Sequence, residues 1–149
     1  MIVSADTNLF LYAANPDSSH HSHARRFFAQ HANGTERFLV CGLVLIEIYM
    51  QLRNPAMFVR PQSAGQARTF CDSLRNNPNW EFGDYEPAVA DALWQWAGTT
   101  NSGFRQIIDA RLAFTLRPHG VTHFATANER HFGEFGFQKV WNPLLPDLS

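Results

Sequence analysis

Three carboxylates stand where apolar segments of the chain end, begin or are interrupted. Asp6 follows a short apolar run, Asp109 lies near the start of a later apolar segment, and Glu47 is the only charged residue between Arg37 and Arg53. A carboxylate in apolar surroundings is costly unless it is paired or binds a cation. Oxygen ligands of this kind suit Mg²⁺ or Mn²⁺, which also bind phosphate oxygens. The acids therefore predict metal-assisted chemistry on a phosphodiester.

Two of these acids also have a structural interpretation. Asp6 precedes a helical segment and could serve only as its N-terminal cap. Glu47 could lie on the solvent side of an amphipathic helix. Thr7 and Asn8 follow Asp6 and can bond the backbone of the turn, which would hold its carboxylate in place. On the residues alone, the capping and functional interpretations of Asp6 both stay open.

Apolar runs alternate with helical patterns and must position these acids. This alternation predicts an α/β fold with a parallel sheet. The predicted strands are a first strand ending before Asp6, then Arg37–Cys41, Trp80–Phe82, Val121–Ala125 and Gln138–Trp141. The predicted helices are Leu9–Ala14 (the start of a helix or a tight turn), His20–His31, Gly42–Leu52, Ser63–Arg75, Glu86–Ala97 and Phe104–Arg117, and a tail follows from Asn142.

Apolar residues on the predicted helices indicate their buried sides. In Gly42–Leu52 the predicted apolar side comprises Leu43, Ile46 and Met50 with Val44 and Leu45. The two later helices are expected to contribute Trp94 and Ile108, among others, whereas Asp91 is expected on the surface.

Composition limits the broad class of the protein. A chain of 149 residues with 45% hydrophobic content suits a single domain over residues 1–149. The formal net charge of -1 gives no sign of a nucleic-acid partner from bulk charge. Cys41 and Cys71 lack metal-type spacing, which fits a reducing cytoplasm. We expect no signal peptide and no membrane association, because the sequence has no suitable apolar run.

The predicted topology brings the chemical groups together. In a doubly wound sheet, ligands bind beyond the carboxyl ends of the strands. Asp6 follows the first strand, and Thr126 and Asn128 follow the fourth. With Glu47 and Asp109, these side chains can meet at one edge, where clustered negative charge requires a cation.

The motifs resemble those of the PIN-domain ribonucleases, specifically the VapC-type toxins of bacterial toxin–antitoxin pairs. The matching segments are VSADTNLFLYA, LVLIEIYMQLRNP, IIDARLAFTLRPHGVTHFATANERHF and the FGF that follows. By this resemblance, Asp6, Glu47 and Asp109 are the metal-binding acids. Thr126 and Asn128 match the last motif, in which many relatives have Asp where this chain has Asn128. Glu129 is adjacent but matches the motif less well than Asn128.

The resemblance implies a three-layer α/β/α fold with a central five-stranded parallel sheet, and a Mg²⁺- or Mn²⁺-dependent endoribonuclease. It also implies a homodimer and a small antitoxin that buries the acidic site, often by inserting an arginine. DNA would be contacted only through that antitoxin. Arg105, Arg111 and Arg117 lie on or beside the Asp109 helix, and at least one is expected to contact substrate phosphate or to offset the acids.

Three rival functions start from the same residues. A haloacid-dehalogenase-type phosphatase also has a strand ending in Asp, but it needs a second acid where Asn8 stands and a lysine near the site. Lys139 is the only lysine and lies after the last motif. A catalytically silent PIN-like binding module is disfavoured because all three acids are present. A DNA nuclease is set aside only by the resemblance, which favours RNA without specifying which RNA.

Overall fold

A computed structural model describes residues 1–146. Residues 147–149 of the predicted C-terminal tail lie outside the described part. The strands are β1 Ile2–Ala5, β2 Arg37–Cys41, β3 Glu81–Gly83, β4 His123–Ala125 and β5 Lys139–Trp141. The α-helices are α1 Thr7–Ala14, α2 His21–His31, α3 Gly42–Leu52, α4 Ala64–Arg75, α5 Ala90–Thr99 and α6 Gln106–Leu116, with 3₁₀ turns at Pro87–Val89 and Glu129–His131.

The five strands form one parallel sheet in the order β3-β2-β1-β4-β5. From β1, the strands β2 and β3 extend the sheet towards one edge. The chain then returns to β1, and β4 and β5 extend the sheet towards the other edge. Because such crossovers are right-handed, α1–α4 cover one face and α5–α6 the other. The main helix contacts agree: α1 packs on α2 and α3, α3 on α4, and α5 on α6. The predicted α/β/α fold is thus confirmed.

The strand order reverses between β1 and β4, which places a crevice beyond the carboxyl ends of these two strands. The two ends are joined directly, because the Asp6 N–H donates to the Ala125 carbonyl at 2.9 Å. Thr126 continues the same edge, since its N–H donates to the Trp141 carbonyl at 2.9 Å. The chain therefore presents Asp6 and Thr126 side by side at this crevice.

The core fills both faces of the sheet with aromatic rings. All four residues of β1 are buried, as expected for a central parallel strand, and the Ser4 hydroxyl donates to the Leu39 carbonyl at 2.7 Å. One aromatic cluster on the α1–α4 side consists of Phe10, Phe27, Phe28, Phe38 and Trp80. The other consists of Phe114, Phe124, Phe132, Phe135 and Phe137.

Several predicted bounds were wrong at their ends. Helix α1 starts at Thr7 rather than Leu9 because Asp6 caps it. The predicted helix Glu86–Ala97 is a 3₁₀ turn followed by α5, which continues to Thr99. Strand β4 begins at His123 rather than Val121, and β3 is Glu81–Gly83 rather than Trp80–Phe82. The predicted helix Phe104–Arg117 starts only at Gln106, so Phe104 precedes it.

The predicted apolar side of α3 was also partly wrong. Ile46 and Met50 are each 60% exposed, while Val44, Leu45, Ile48 and Leu52 are buried. The run is apolar all round, so its sequence lacked the periodicity that would distinguish the buried side. Exposure likewise contradicts the expected packing of Trp94 and Ile108, which are 64% and 50% exposed.

None of the helices in residues 1–146 is long and apolar enough to cross a membrane.

Candidate active site

Asp6 is held at the crevice by hydrogen bonds to both carboxylate oxygens. Oδ1 accepts from the Thr7 N–H at 2.8 Å, which caps α1. Oδ2 accepts from the Thr126 hydroxyl at 2.9 Å, across from β4. Asp6 is therefore the N-terminal cap of α1, and its carboxylate is held at the switch point of the sheet.

Glu47 joins this group from α3. The Thr7 hydroxyl donates to Glu47 Oε2 at 3.2 Å, so Thr7 contacts one acid with its N–H and another with its side chain. Glu47 is half-buried, whereas the next residue along the helix, Ile48, is fully buried. The helix thus turns the carboxylate of Glu47 towards the start of α1 and not fully into solvent.

Asp109 approaches from the first turn of α6. Its carboxylate is 28% exposed, and Oδ2 lies 3.3 Å from Nδ1 of His131. His131 ends the 3₁₀ turn that follows β4, and its N–H donates to the Asn128 carbonyl at 3.0 Å. Gln106 makes a second contact with His131, because its Nε2 donates to the His131 carbonyl at 3.0 Å. These bonds join the start of α6 to the segment after β4.

The pKa values show that the three acids share one electrostatic environment. Burial raises the pKa of Asp6, although hydrogen bonds from Thr126 and Thr7 and the charge of His131 act against this. The pKa of Glu47 is raised by burial and then by the charges of Asp6 and Asp109. The pKa of Asp109 is raised by burial and by Asp6, against the effect of His131. The negative charges therefore repel one another and are incompletely compensated.

The donor chemistry of this cluster fits a hard divalent cation, because Asp6, Glu47 and Asp109 offer only carboxylate oxygens. A cation would also offset their mutual repulsion. Among residues 1–146, no group of three or more His, Cys, Asp or Glu side chains is arranged so that it could hold a metal ion. The Thr7 bond to Glu47 and the His131 contact with Asp109 each involve one carboxylate oxygen, so the second oxygen of each acid lies outside these two contacts.

The motif of Thr126 and Asn128, which follows β4, contacts Asp6 through the side chain of Thr126. Its side chain is fully buried, and its hydroxyl donates to Asp6 while accepting from the Asn128 N–H at 3.0 Å. Asn128 itself is exposed and reaches the site through its backbone. Glu129 is engaged elsewhere, because Oε1 accepts from the Asn142 N–H at 2.8 Å. Asn8 is half-buried in α1, and its side chain makes none of the hydrogen bonds found among the described residues.

The predicted arginines occupy three different environments. Arg105 is exposed beside the site, with its guanidinium carbon 5.7 Å from the centroid of Phe104. The guanidinium carbon of Arg111 lies 4.5 Å from the ring centroid of Tyr85, a residue that follows β3. Arg117 donates to the Val121 carbonyl at 3.0 Å, which closes the turn between α6 and β4. Arg105 lines a cavity that also contains Asp109.

Sequence reasoning missed His131 and Gln106. Neither belongs to a periodic pattern, and His131 lies 22 positions after Asp109, the residue it contacts. The available signal was the short run ANERHF after the fourth strand, in which a basic residue follows the motif of Thr126 and Asn128. Its side-chain direction depends on a 3₁₀ turn that was not predicted.

The fold and the acidic crevice define an α/β protein of the PIN class. A family model described as "PIN domain" matches residues 3–138, and the chain belongs to this family. Over 146 residues it is 42% identical to Ribonuclease VapC24 of Mycobacterium tuberculosis, covering 98% of this chain and 99% of the relative. This confirms the resemblance to PIN-domain VapC proteins.

Solved structures agree on the fold. VapC20 of Mycobacterium tuberculosis, described as a Sarcin-Ricin loop cleaving toxin, aligns with a TM-score of 0.64 at 16% identity, covering 82% of this chain and 86% of that one. The DNA-bound VapBC complex of Salmonella typhimurium aligns with a TM-score of 0.63 at 15% identity, covering 96% of this chain and 98% of that one. FitAB bound to a DNA fragment aligns with a TM-score of 0.64 at 15% identity, covering 99% of this chain and 98% of that one. At these identities the structural likeness concerns the fold alone.

Proposed function

We propose that this chain is a metal-dependent endoribonuclease that acts as the toxin of a type II, VapBC-like toxin–antitoxin system. The observation that supports the proposal is that Thr7 bonds both Asp6 and Glu47 in a PIN-domain fold, while burial and the negative charge of Asp6 raise the pKa values of Glu47 and Asp109. The near full-length relative named a ribonuclease supports RNA as the substrate.

Each site residue has a distinct proposed role. Asp6, Glu47 and Asp109 would hold Mg²⁺ or Mn²⁺, which when bound supplies the positive charge that activates water and stabilises the leaving oxygen. Thr126 fixes the orientation of Asp6, and Thr7 connects Asp6 with Glu47.

Supporting roles are proposed for the remaining motif residues. Asn128 offers an exposed amide beside Thr126, and Asn8 lies in the first turn of α1. Arg105 is the better candidate for a phosphate contact, because it lines the cavity that contains Asp109, and Arg111 is the second candidate.

The proposed partners follow from the charge of the site and from the family. An acidic crevice fits an inserted arginine from a small antitoxin, and some solved structures with this fold are antitoxin complexes bound to DNA. We propose that this chain contacts DNA only through such an antitoxin. A homodimer, a cytoplasmic location and a single PIN domain over residues 1–149 are part of the same proposal. Co-purification with the product of an adjacent small gene, and inhibition by it, would test the antitoxin.

The rival phosphatase chemistry lacks its required groups at this crevice. Asn8 stands where a second acid would be needed, and Lys139 begins β5 with its ammonium 4.7 Å from the ring centroid of Trp141.

The direct test is RNA cleavage with and without a divalent cation. We expect Mg²⁺ or Mn²⁺ to support cleavage and EDTA to abolish it, because the proposed ligands are all oxygens. Asp109→Asn should lose activity, while the matched control Asp91→Asn, on the exposed part of α5, should retain it. Undiminished cleavage in EDTA would rule out the mechanism. Sequencing the 5′ ends of RNA fragments after brief induction in cells would then identify the RNA.

A further inference from the structure

A cavity opens beside Asp109, next to the acid cluster. It has a volume of about 240 Å³ and is lined by Gly103, Phe104, Arg105, Gln106, Asp109 and His131. We call it the Phe104 cavity. One part of its wall is a carboxylate of the proposed cation site, and another part is an aromatic ring.

The position of Phe104 sets it apart from other exposed apolar residues. Its side chain is 89% exposed. Single exposed apolar side chains are common on protein surfaces and do not by themselves define a site. Phe104, however, lies at the acidic crevice and shares its cavity with Arg105, whose guanidinium carbon is 5.7 Å from the ring centroid. An aromatic ring and a cation thus stand together beside Asp109.

Two contacts hold part of the lining of the Phe104 cavity in place. Gln106 donates to the His131 carbonyl at 3.0 Å, and Nδ1 of His131 lies 3.3 Å from Asp109. The start of α6 and the turn after β4 are therefore joined at the cavity. These contacts form this part of the lining without a ligand.

These groups match the chemistry of an unpaired nucleotide. Proteins bind single-stranded RNA by stacking bases on aromatic rings and by pairing arginine with phosphate. We infer that the Phe104 cavity binds the base of an unpaired nucleotide next to the phosphodiester that reaches the acids. This inference rests on the proposed endoribonuclease activity and assigns to the same site a positioning residue, Phe104, on which one base of the substrate stacks.

The inference has a specific consequence for selectivity. Every base has a face that can stack, so Phe104 should discriminate little among the four bases. Bases within a duplex are already stacked on their neighbours and must be extruded before they can occupy such a cavity. Phe104 should therefore favour single-stranded RNA over a duplex of the same sequence.

Binding measurements with Ca²⁺ replacing Mg²⁺ test this inference. Fluorescence anisotropy would compare an unstructured oligoribonucleotide with the duplex of the same sequence. Phe104→Ala should weaken binding of the single strand by about 5-fold to about 150-fold and leave binding of the duplex unchanged. Phe104→Trp should restore the affinity, whereas Phe104→Leu, which is apolar without a ring, should not. The matched control is Phe82→Ala, which removes another exposed aromatic side chain, on β3.

Each outcome distinguishes the inference from the proposed activity. Unchanged affinity in Phe104→Ala, or equal loss for single strand and duplex, would overturn the inference. So would a change in sedimentation without a change in RNA binding, because Phe104 would then belong to a protein interface. RNA binding that depends on Phe104 but is never followed by cleavage with Mg²⁺ or Mn²⁺ would uphold the inference and reject the nuclease. A wild-type protein that binds no RNA would reject both.

Discussion

Thr126→Val should destabilise the protein by removing the hydroxyl that supports Asp6. Valine has nearly the same shape as threonine, so the change leaves no cavity. The lost bond to the carboxylate is a hydrogen bond to a charged group, which contributes about 1.5–3 kcal/mol. The Asn128 N–H also loses its acceptor, but Asn128 is exposed and water can replace part of that bond. We expect the free energy of unfolding to fall by about 2–4 kcal/mol in total.

Urea unfolding in EDTA measures this loss, with Thr115→Val as the matched control. Thr115 is also buried, but its hydroxyl donates to a carbonyl of its own helix, that of Arg111. We expect that control to lose less than about 1 kcal/mol. Because much of the Thr126 effect comes from the charge on Asp6, the same substitution should cost less in an Asp6→Asn background. Equal losses in Thr126→Val and Thr115→Val would refute the claim that Thr126 stabilises the carboxylate.

Three further predictions concern charge at the site. Asp6→Asn keeps a good cap but removes a negative ligand, so cleavage at limiting Mg²⁺ should fall by at least ~10-fold, while relief of repulsion should raise the Tm of the metal-free protein. Because the folded pKa values of the three acids are raised, stability without metal should decrease as pH rises above their ordinary pKa values of 3.8 for Asp and 4.5 for Glu; urea unfolding should show a weaker decrease in Asp6→Asn. Arg105→Gln should reduce the salt slope of RNA binding by about 1, whereas Arg117→Gln should mainly lower the free energy of unfolding, because Arg117 bonds the Val121 carbonyl.

The parallel α/β sheet and most elements were predictable because their signals are local, whereas the three-layer arrangement was implied by the family resemblance. β-Branched and apolar runs bounded by turns indicated every strand, and the bounds of β2 and α3 matched the structure. Errors arose where a helix cap or a continuous apolar run decided the outcome. Helix α1 begins two residues earlier than predicted because Asp6 caps it, and the exposed side of α3 at Ile46 could not be predicted from a segment without periodicity.

The residues of the candidate site also fall into those that local sequence signals predicted and those that only the structure revealed. The motifs identified Asp6, Glu47 and Asp109 as acids in unusual surroundings, and the sheet order explains why Asp6 lies beside Thr126. The contact of His131 with Asp109 depends on a 3₁₀ turn after β4, for which the sequence carries no periodic signal. Phe104 was assigned to a helix, and its exposure beside Asp109 became evident only because α6 begins at Gln106.

Mn²⁺ binding by isothermal titration calorimetry tests the central claim most directly, because it reports on the three acids without requiring a substrate. The account predicts that Asp6→Asn, Glu47→Gln and Asp109→Asn each weaken binding by at least ~10-fold. Asp91→Asn, an exposed acid of α5 outside the cluster, should bind like the wild type. Mn²⁺ affinity that is unchanged in all three site variants would contradict the claim that these carboxylates form one cation site.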